Sequence, residues 1–184
     1  GFSVNKLKKM GYRAIDTCEI NLQDYRVPVA NLLGGVEGQG FVHTAGGLEL
    51  GRINVAARGA GIAEGALRMS LRYAQERSAF GKPIWNHQAI QLKLADMVTQ
   101  VEGAKRLVEE AARKYDSGQR CDLEAAMAKL FASEMAERVC SDAIQVHGGY
   151  GYVSDFAVER IYRDVRVCQI YEGTSEVQKI LIGR

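Results

Sequence analysis

Several things are scarce in this sequence, and each scarcity narrows the reading. No run of about 18 apolar residues occurs, which excludes a membrane-spanning helix. Neither sign of charge dominates: 24 Lys and Arg stand against 22 Asp and Glu, a formal net charge of +2. So balanced a chain has no long-range field for nucleic acid or anionic lipid, and neither is expected as a partner. Only four cysteines occur, Cys18, Cys121, Cys140 and Cys168, with no CxxC pair among them. Structural zinc sites want close ligand pairs and secreted scaffolds are denser in cysteine, so the expectation is reduced, mostly buried thiols. His43, His87 and His147 are too far apart for metal-ligand spacing, and no metal is expected. The first residue is Gly1, with no Met and no signal or transit pattern, which points to a processed or truncated product of a longer chain.

What is present is ordinary in amount: 184 residues, 47% hydrophobic and 25% charged. That length means one domain or one and a fraction, burying roughly 70% of its unfolded surface on folding. Residues 1–40 differ from the rest. Ile15 to Leu22 is strand-compatible, Val27-Pro28-Val29 reads as extended, and Gly34 to Gly40 reads as a flexible turn. Two short strands cannot bury a face alone, so they look like the edge of something larger. From Phe41 the period is helical. Helices are predicted from Phe41 to about Gln75, Asn86 to Tyr115, Asp122 to Gly148, Asp155 to Arg163 and Thr174 to Ile182, with Asp122 and Thr174 as N-caps. The first carries many Gly and Ala, and its glycines, costly in a helix, predict close approach of other backbones. The fold class is therefore mainly α: an antiparallel, four-helix type of bundle over residues 41–184, preceded by strands.

Four segments can carry chemistry. Glu172 in Tyr171-Glu172-Gly173-Thr174 precedes a helix. It either complements that helix N-terminus or acts as a general base that needs desolvation by substrate. Arg77, in Glu76-Arg77-Ser78-Ala79-Phe80-Gly81-Lys82-Pro83-Ile84 with His87-Gln88 beyond, is either a solvated loop arginine or a phosphate ligand. Gln145-Val146-His147-Gly148-Gly149-Tyr150-Gly151 follows a helix, not a strand, so it is no Rossmann or P-loop cradle. It is either a glycine helix cap or a bare backbone for a nucleotide. In Glu49-Leu50-Gly51-Arg52, Arg52 either pairs with Glu49 or meets an anionic ligand.

Together and in this order, these segments, with Arg163-Asp164 and Ile170 to Glu176, resemble the carboxyl-terminal half of an acyl-CoA dehydrogenase. The resemblance covers Phe41 to Arg184, and residues 1–40 resemble the end of the family's middle β-domain. It implies a flavoenzyme with FAD between bundle and β-domain, partly at a subunit interface of a homotetramer or dimer. It implies oxidation of an acyl-CoA to the trans-2-enoyl-CoA, electrons passing to an electron-transfer flavoprotein, in a bacterial cytoplasm or mitochondrial matrix.

By position, Glu172 resembles the catalytic base, and Glu49, Arg52, Tyr171 and Gly173 resemble substrate contacts. Arg77, Phe80, His87 and Gln88 resemble contacts to FAD held mainly by a neighbouring subunit. Gln145, Val146, Gly148 and Gly149 resemble contacts to its adenosine half, and Thr174 and Glu176 contacts near the base. Three positions depart from the pattern. Gly51 stands where some branched- and long-chain members place their base, which favours Glu172 and a short or modest acyl chain. Glu176 stands where many members have Gln, and Ala79 replaces a common Thr. The competing readings are an acyl-CoA oxidase or other flavoenzyme on the same fold, and a non-catalytic helical assembly module.

Overall fold

Small apolar residues at three- and four-residue steps make the middle of this chain helical and let its helices pack tightly. The computed structural model describes residues 1–184. Three long helices dominate: α1 (Gly40–Glu76), α2 (Gln88–Asp116) and α3 (Asp122–His147). Two short ones follow, α4 (Val158–Val165) and α5 (Ser175–Ile182). Both pack on α3, and α4 also reaches α1, so the fourth place of the bundle is shared by two short helices. The direction of each helix follows from its cross-links. Lys105 bonds Glu64 and Lys114 bonds Glu124, which sets α2 antiparallel to both neighbours. Gly59 meets Ala132 and Tyr73 stacks on His147, so α1 and α3 run parallel.

The core is built largely of alanine. Ala56, Ala63 and Ala66 of α1 and Ala125, Ala128, Ala132 and Ala136 of α3 are fully buried, around Met97, Val101, Met135 and Val139. Small side chains draw helix axes toward the short end of the usual 8–10 Å range. A Cβ on Gly59 would fall 3.1 Å from the Ala132 carbonyl oxygen, so this glycine is where α1 touches α3. Gly61 and Gly65 meet nothing within 4 Å. The expectation of backbone contact thus holds at particular glycines and not along the whole helix. The buried stripe of α3 also differs from the one its apolar residues suggest. Leu123 and Phe131 are exposed, while Lys129 lies wholly inside. It falls on the stripe because Ala125, Ala132 and Ala136 are four, three and seven residues away.

Helix boundaries match the sequence reading to within a few residues, with one difference at a cap. Cys121, not Asp122, is the N-cap of α3, and it caps without a side-chain bond. Asp122 lies in the first turn, where a carboxylate meets the positive end of the helix. Thr174 does cap α5, its hydroxyl accepting from the Val177 N–H at 3.5 Å.

The first forty residues form an antiparallel hairpin, β1 (Phe2–Lys6) with β2 (Cys18–Leu22), in the register Phe2 to Leu22 and Lys6 to Cys18. The partner of the Cys18–Leu22 strand is therefore Phe2–Lys6 and not Val27–Val29. Pro28 has no N–H to offer a ladder, and Val29–Asn31 winds into a 3-10 turn instead. No residue in 1–39 is buried. The segment is latched to the bundle at one place. The Tyr12 N–H donates to Asp164 Oδ1 at 2.6 Å, and Arg163 donates to the Met10 carbonyl at 3.2 Å. A Cβ on Gly11 would fall 2.6 Å from the Arg163 carbonyl carbon, so only glycine permits that seat.

Candidate active site

Glu172 has a backbone that side chains rarely accept. Its φ is +55°, in the left-handed region, and Gly173 follows at +89°. A non-glycine residue there costs on the order of 1 kcal/mol or more and persists only where its surroundings enforce it. Here they do. The fully buried Gln178 of α5 donates to the Glu172 carbonyl at 3.1 Å and to the Gly173 carbonyl at 3.0 Å. Lys129 of α3 donates to the Gly173 carbonyl at 2.6 Å. The Glu172 N–H has no backbone acceptor and stays available. The half-buried carboxylate lies directly over Gly51 of α1. A Cβ on Gly51 would fall 2.9 Å from the carboxyl carbon and closer still to Oε2. The bare backbone at 51 is therefore the space in which Glu172 sits.

Beside it, Arg52 is 9% exposed, its Nε has no partner, and it makes no ion pair. The pairing with Glu49, open from the sequence, does not form. The Glu49 carboxyl turns to Asp122 and to the Cys121 thiol, 3.5 Å away. The hydrogen bond shared with Asp122 raises Glu49 above the usual carboxylate range and lowers Asp122. The Arg52 charge helps to hold Asp122 low, but its buried Nε is left with no acceptor, which is costly. Tyr171 faces away from it. Its hydroxyl accepts from Arg58 at 2.7 Å and its ring lies 5.8 Å beneath that guanidinium. Burial pushes the phenol up.

A second cleft, of about 490 Å³, opens at the other end of the bundle between Tyr73, Arg77, Ile84, Val146, Gly148 and Gly149. Twenty-two residues of α1 separate Gly51 from Tyr73, or about 33 Å of helix. Gly148, at φ +59°, caps α3. Neither it nor Gly149 has anything within 4 Å of where a Cβ would stand, so bare backbone faces the cleft. Arg77 has no carboxylate partner and lies over the Tyr150 ring at 5.5 Å. Next to it, β3 (Ser78–Ala79) and β4 (Lys82–Pro83) make a minimal hairpin whose two-residue turn is Phe80-Gly81, both at positive φ. Such turns favour Asn, Asp or Gly. Phe80 nevertheless occupies this one, 95% exposed, edge-on to the His87 ring at 5.9 Å. His87 Nε2 donates to the Ala79 carbonyl at 3.0 Å and braces the turn.

The structure thus gathers Glu172, Gly173, Gly51, Arg52 and Glu49 at one end, and Arg77, Phe80, His87, Val146, Gly148 and Gly149 at the other. Gln88 and Gln145 are exposed beside the second group without lining its cleft. Thr174 and Glu176 border a separate hollow of about 300 Å³ with Arg166 and Gln169. Bonds from its own N–H and the Thr174 hydroxyl hold Glu176 below the usual carboxylate range, so it only accepts. Sequence reasoning missed Lys129 and Gln178. A lysine and a glutamine on the buried stripes of two helices were the available signal. No group of three or more His, Cys, Asp or Glu gathers anywhere, and no helix is long and apolar enough to cross a membrane.

Comparison with known proteins accounts for this arrangement. The family pattern described as "Acyl-CoA dehydrogenase, C-terminal domain" matches residues 38–184. The chain is 50% identical to acryloyl-CoA reductase (NADH) of Anaerotignum propionicum, over 100% of its own length and 47% of the relative's. It is 47% identical to an acyl-CoA dehydrogenase of Bacillus subtilis, over 100% and 48%. It superposes on butyryl-CoA dehydrogenase from Megasphaera elsdenii with a TM-score of 0.96 at 46% identity, covering 100% of this chain and 48% of that one. The chain spans about half the length of these relatives, and its residues 38–184 match the family's carboxyl-terminal domain. With the matched pattern and the motifs at both ends in place, the chain belongs to the acyl-CoA dehydrogenase family.

Proposed function

We propose that this chain is the carboxyl-terminal part of an FAD-dependent enzyme that converts an acyl-CoA thioester to its trans-2-enoyl-CoA. The observation that carries the reading is Glu172: a strained, locked backbone that delivers its carboxylate over Gly51 beside the unpaired Arg52. Strain held in place by two buried donors is a cost that function explains better than folding does. In the proposed reaction the Glu172 carboxylate takes the α-proton of the thioester. FAD, when bound, supplies the acceptor for the β-hydrogen as hydride, and the carbon–carbon double bond forms between the two positions. The free Glu172 N–H is available to donate to the thioester oxygen, where negative charge grows as the proton leaves. Arg52, Glu49 and Gly173 serve as substrate contacts, with Tyr171 fixing the loop from the far side. The missing side chain at Gly51 is room for Glu172, and the acyl chain is expected to be short or modest.

The cleft at the opposite end fits a dinucleotide: uncovered glycine backbone, an arginine without a carboxylate and an exposed phenylalanine. Arg77, Phe80, His87 and Gln88 would hold it from one side, with Gln145, Val146, Gly148 and Gly149 from the other. Thr174 and Glu176 would meet the flavin held near Glu172. The separation of about 33 Å along α1 supports each chain touching two flavins, its own near Glu172 and one held mainly by a neighbouring subunit at the second cleft, so one flavin per chain in a homotetramer or dimer. Residues 1–40 are proposed as the last strands of a middle β-domain, which the unburied apolar residues Val4, Ile20 and Leu22 support. An electron-transfer flavoprotein is the proposed acceptor.

The test is anaerobic bleaching of the flavin in the full-length protein by straight and branched acyl-CoAs. Bleaching by at least one is expected, and Glu172→Gln is expected to abolish it with flavin still bound. Persisting reduction in that variant overturns the assigned base. A second reading is favoured by the 50% identity to an acryloyl-CoA reductase. In that direction the same carboxyl returns a proton to the α-carbon. Faster reoxidation of the reduced protein by an enoyl-CoA than reduction by the acyl-CoA selects it.

A further inference from the structure

The interior of α3 holds one group that packing does not explain. Lys129 is fully buried, with its ammonium donating to the Gly173 carbonyl. Its flank is apolar or small: Ala125, Ala126, Ala128, Ala132. Burying an ammonium costs several kcal/mol before any return, and a methionine of similar length would fill the same space without that cost. Desolvation accordingly lowers its affinity for a proton below that of an ordinary lysine. The charged and titratable groups nearest it are Cys168, Glu172, Glu176 and Arg52. It makes no salt bridge, so its one strong partner is the backbone next to Glu172.

Gln178 supplies the second half of the arrangement. Its amide nitrogen donates to the carbonyls of both Glu172 and Gly173, and it is wholly buried. The close seat depends on glycine, because a Cβ on Gly173 would fall 2.7 Å from that nitrogen. Two donors from two different helices thus converge on two successive carbonyls in a left-handed stretch of chain.

We propose that Lys129 and Gln178 are a positioning pair for the base, holding the Glu172–Gly173 backbone in the conformation that carries the Glu172 carboxylate over Gly51. The proposal rests on the reading of Glu172 as base. It assigns Lys129 no contact with substrate and no proton transfer. Released from these donors, Glu172 relaxes toward negative φ, and its carboxylate leaves the pocket above Gly51. A base misplaced by about 1 Å costs on the order of 100-fold in rate.

The test uses the flavin-loaded full-length protein and separates the limiting rate of flavin reduction, acyl-CoA affinity and thermal stability. Lys129→Met is expected to lower the limiting rate about 10- to 100-fold, with acyl-CoA affinity changed less than threefold and the melting temperature unchanged or raised. Lys129→Gln, which keeps a donor, is expected to recover part of the rate. An unchanged limiting rate in Lys129→Met overturns the proposal. So do equal losses of rate and stability in both variants, the signature of a lysine needed only for folding. If Lys129→Met does not yield flavin-loaded protein, Gln178→Met carries the same test, and an unchanged limiting rate there overturns the proposal. Glu172→Gln measured alongside keeps the two claims apart. Retained bleaching in it removes the base reading itself, whereas lost bleaching with a normal Lys129→Met removes only the positioning pair.

Discussion

The hairpin segment and the bundle obey different rules although one chain makes both. In residues 1–39 no side chain is buried, and Phe2, Val4, Ile20 and Leu22 stand in the open on a two-stranded ladder. In the bundle, alanines, valines and methionines from three long helices close around each other with no exposure at all. Helices satisfy their own backbone and need only one apolar stripe covered by a neighbour. A two-stranded ladder leaves two edges and two faces, and is at best marginal alone. The hairpin here is held by its own ladder and by the latch at Arg163 and Asp164.

The largest expected difference lies in core truncation. Met135→Ala removes a fully buried side chain between helices and is expected to cost about 2–5 kcal/mol, whereas Val4→Ala in the hairpin should stay within about 0.5 kcal/mol. Paired denaturant melts measure both, and equal losses would break the distinction. Glycine sharpens it within the bundle. Gly59→Leu drives a side chain into the α3 backbone and is expected to cost about 1–3 kcal/mol or more. Gly61→Ala, on the same helix but in open space, is expected to gain about 0.5–1 kcal/mol. A gain of stability at both positions would mean that helix propensity and not the α1–α3 contact controls α1.

Thiol chemistry divides the regions next. Burial pushes Cys121 up to about 11 and Cys140 up to about 12, and Cys168 is raised as well. Cys18 is half-buried in the hairpin. Iodoacetamide on the native protein at neutral pH is expected to add one label, at Cys18, and mass mapping reads it. A bundle cysteine labelled first would contradict the packing.

The smallest effect is in pH. The hydrogen bond to Asp122 raises Glu49 in the folded state. The folded protein therefore holds that proton more tightly than the unfolded chain does. Its contribution is complete below the ordinary glutamate value and is lost as pH rises through the raised one. Glu49→Gln, which still offers Asp122 a donor, is expected to flatten the slope of melting temperature in that window. An unchanged slope would mean that the pair does not share a proton.

Much of the bundle was legible because it is written locally. The three- and four-residue recurrence from Phe41, the Gly118 and Gly148 stops and the Thr174 cap are contained in short windows. The hairpin was half legible. Cys18–Leu22 has strand character, but its partner Phe2–Lys6 is chosen by a ladder across eleven intervening residues, and only the folded chain shows that choice. At the site, Glu172, Arg52 and Arg77 were legible as residue types in motifs. The vacancy of Arg52 was not, because whether Glu49 reaches it or turns to Asp122 depends on where the start of α3 lies.

The sequence by itself determined that this is a balanced, helical chain with a glutamate in a glycine-bearing loop and an arginine–glycine array spread over a hundred residues. Those are matters of residue type and spacing, and short-range physics reads them. Only the tertiary structure decided that Gly51 is the floor under Glu172, that the two sets of candidate residues stand at opposite ends of α1, and that a lysine of α3 and a glutamine of α5 meet at successive carbonyls. The Lys129–Gly173 and Glu172–Gly51 approaches join segments remote in sequence, and such distances are set when helix faces pack, since no short window of the chain contains both partners.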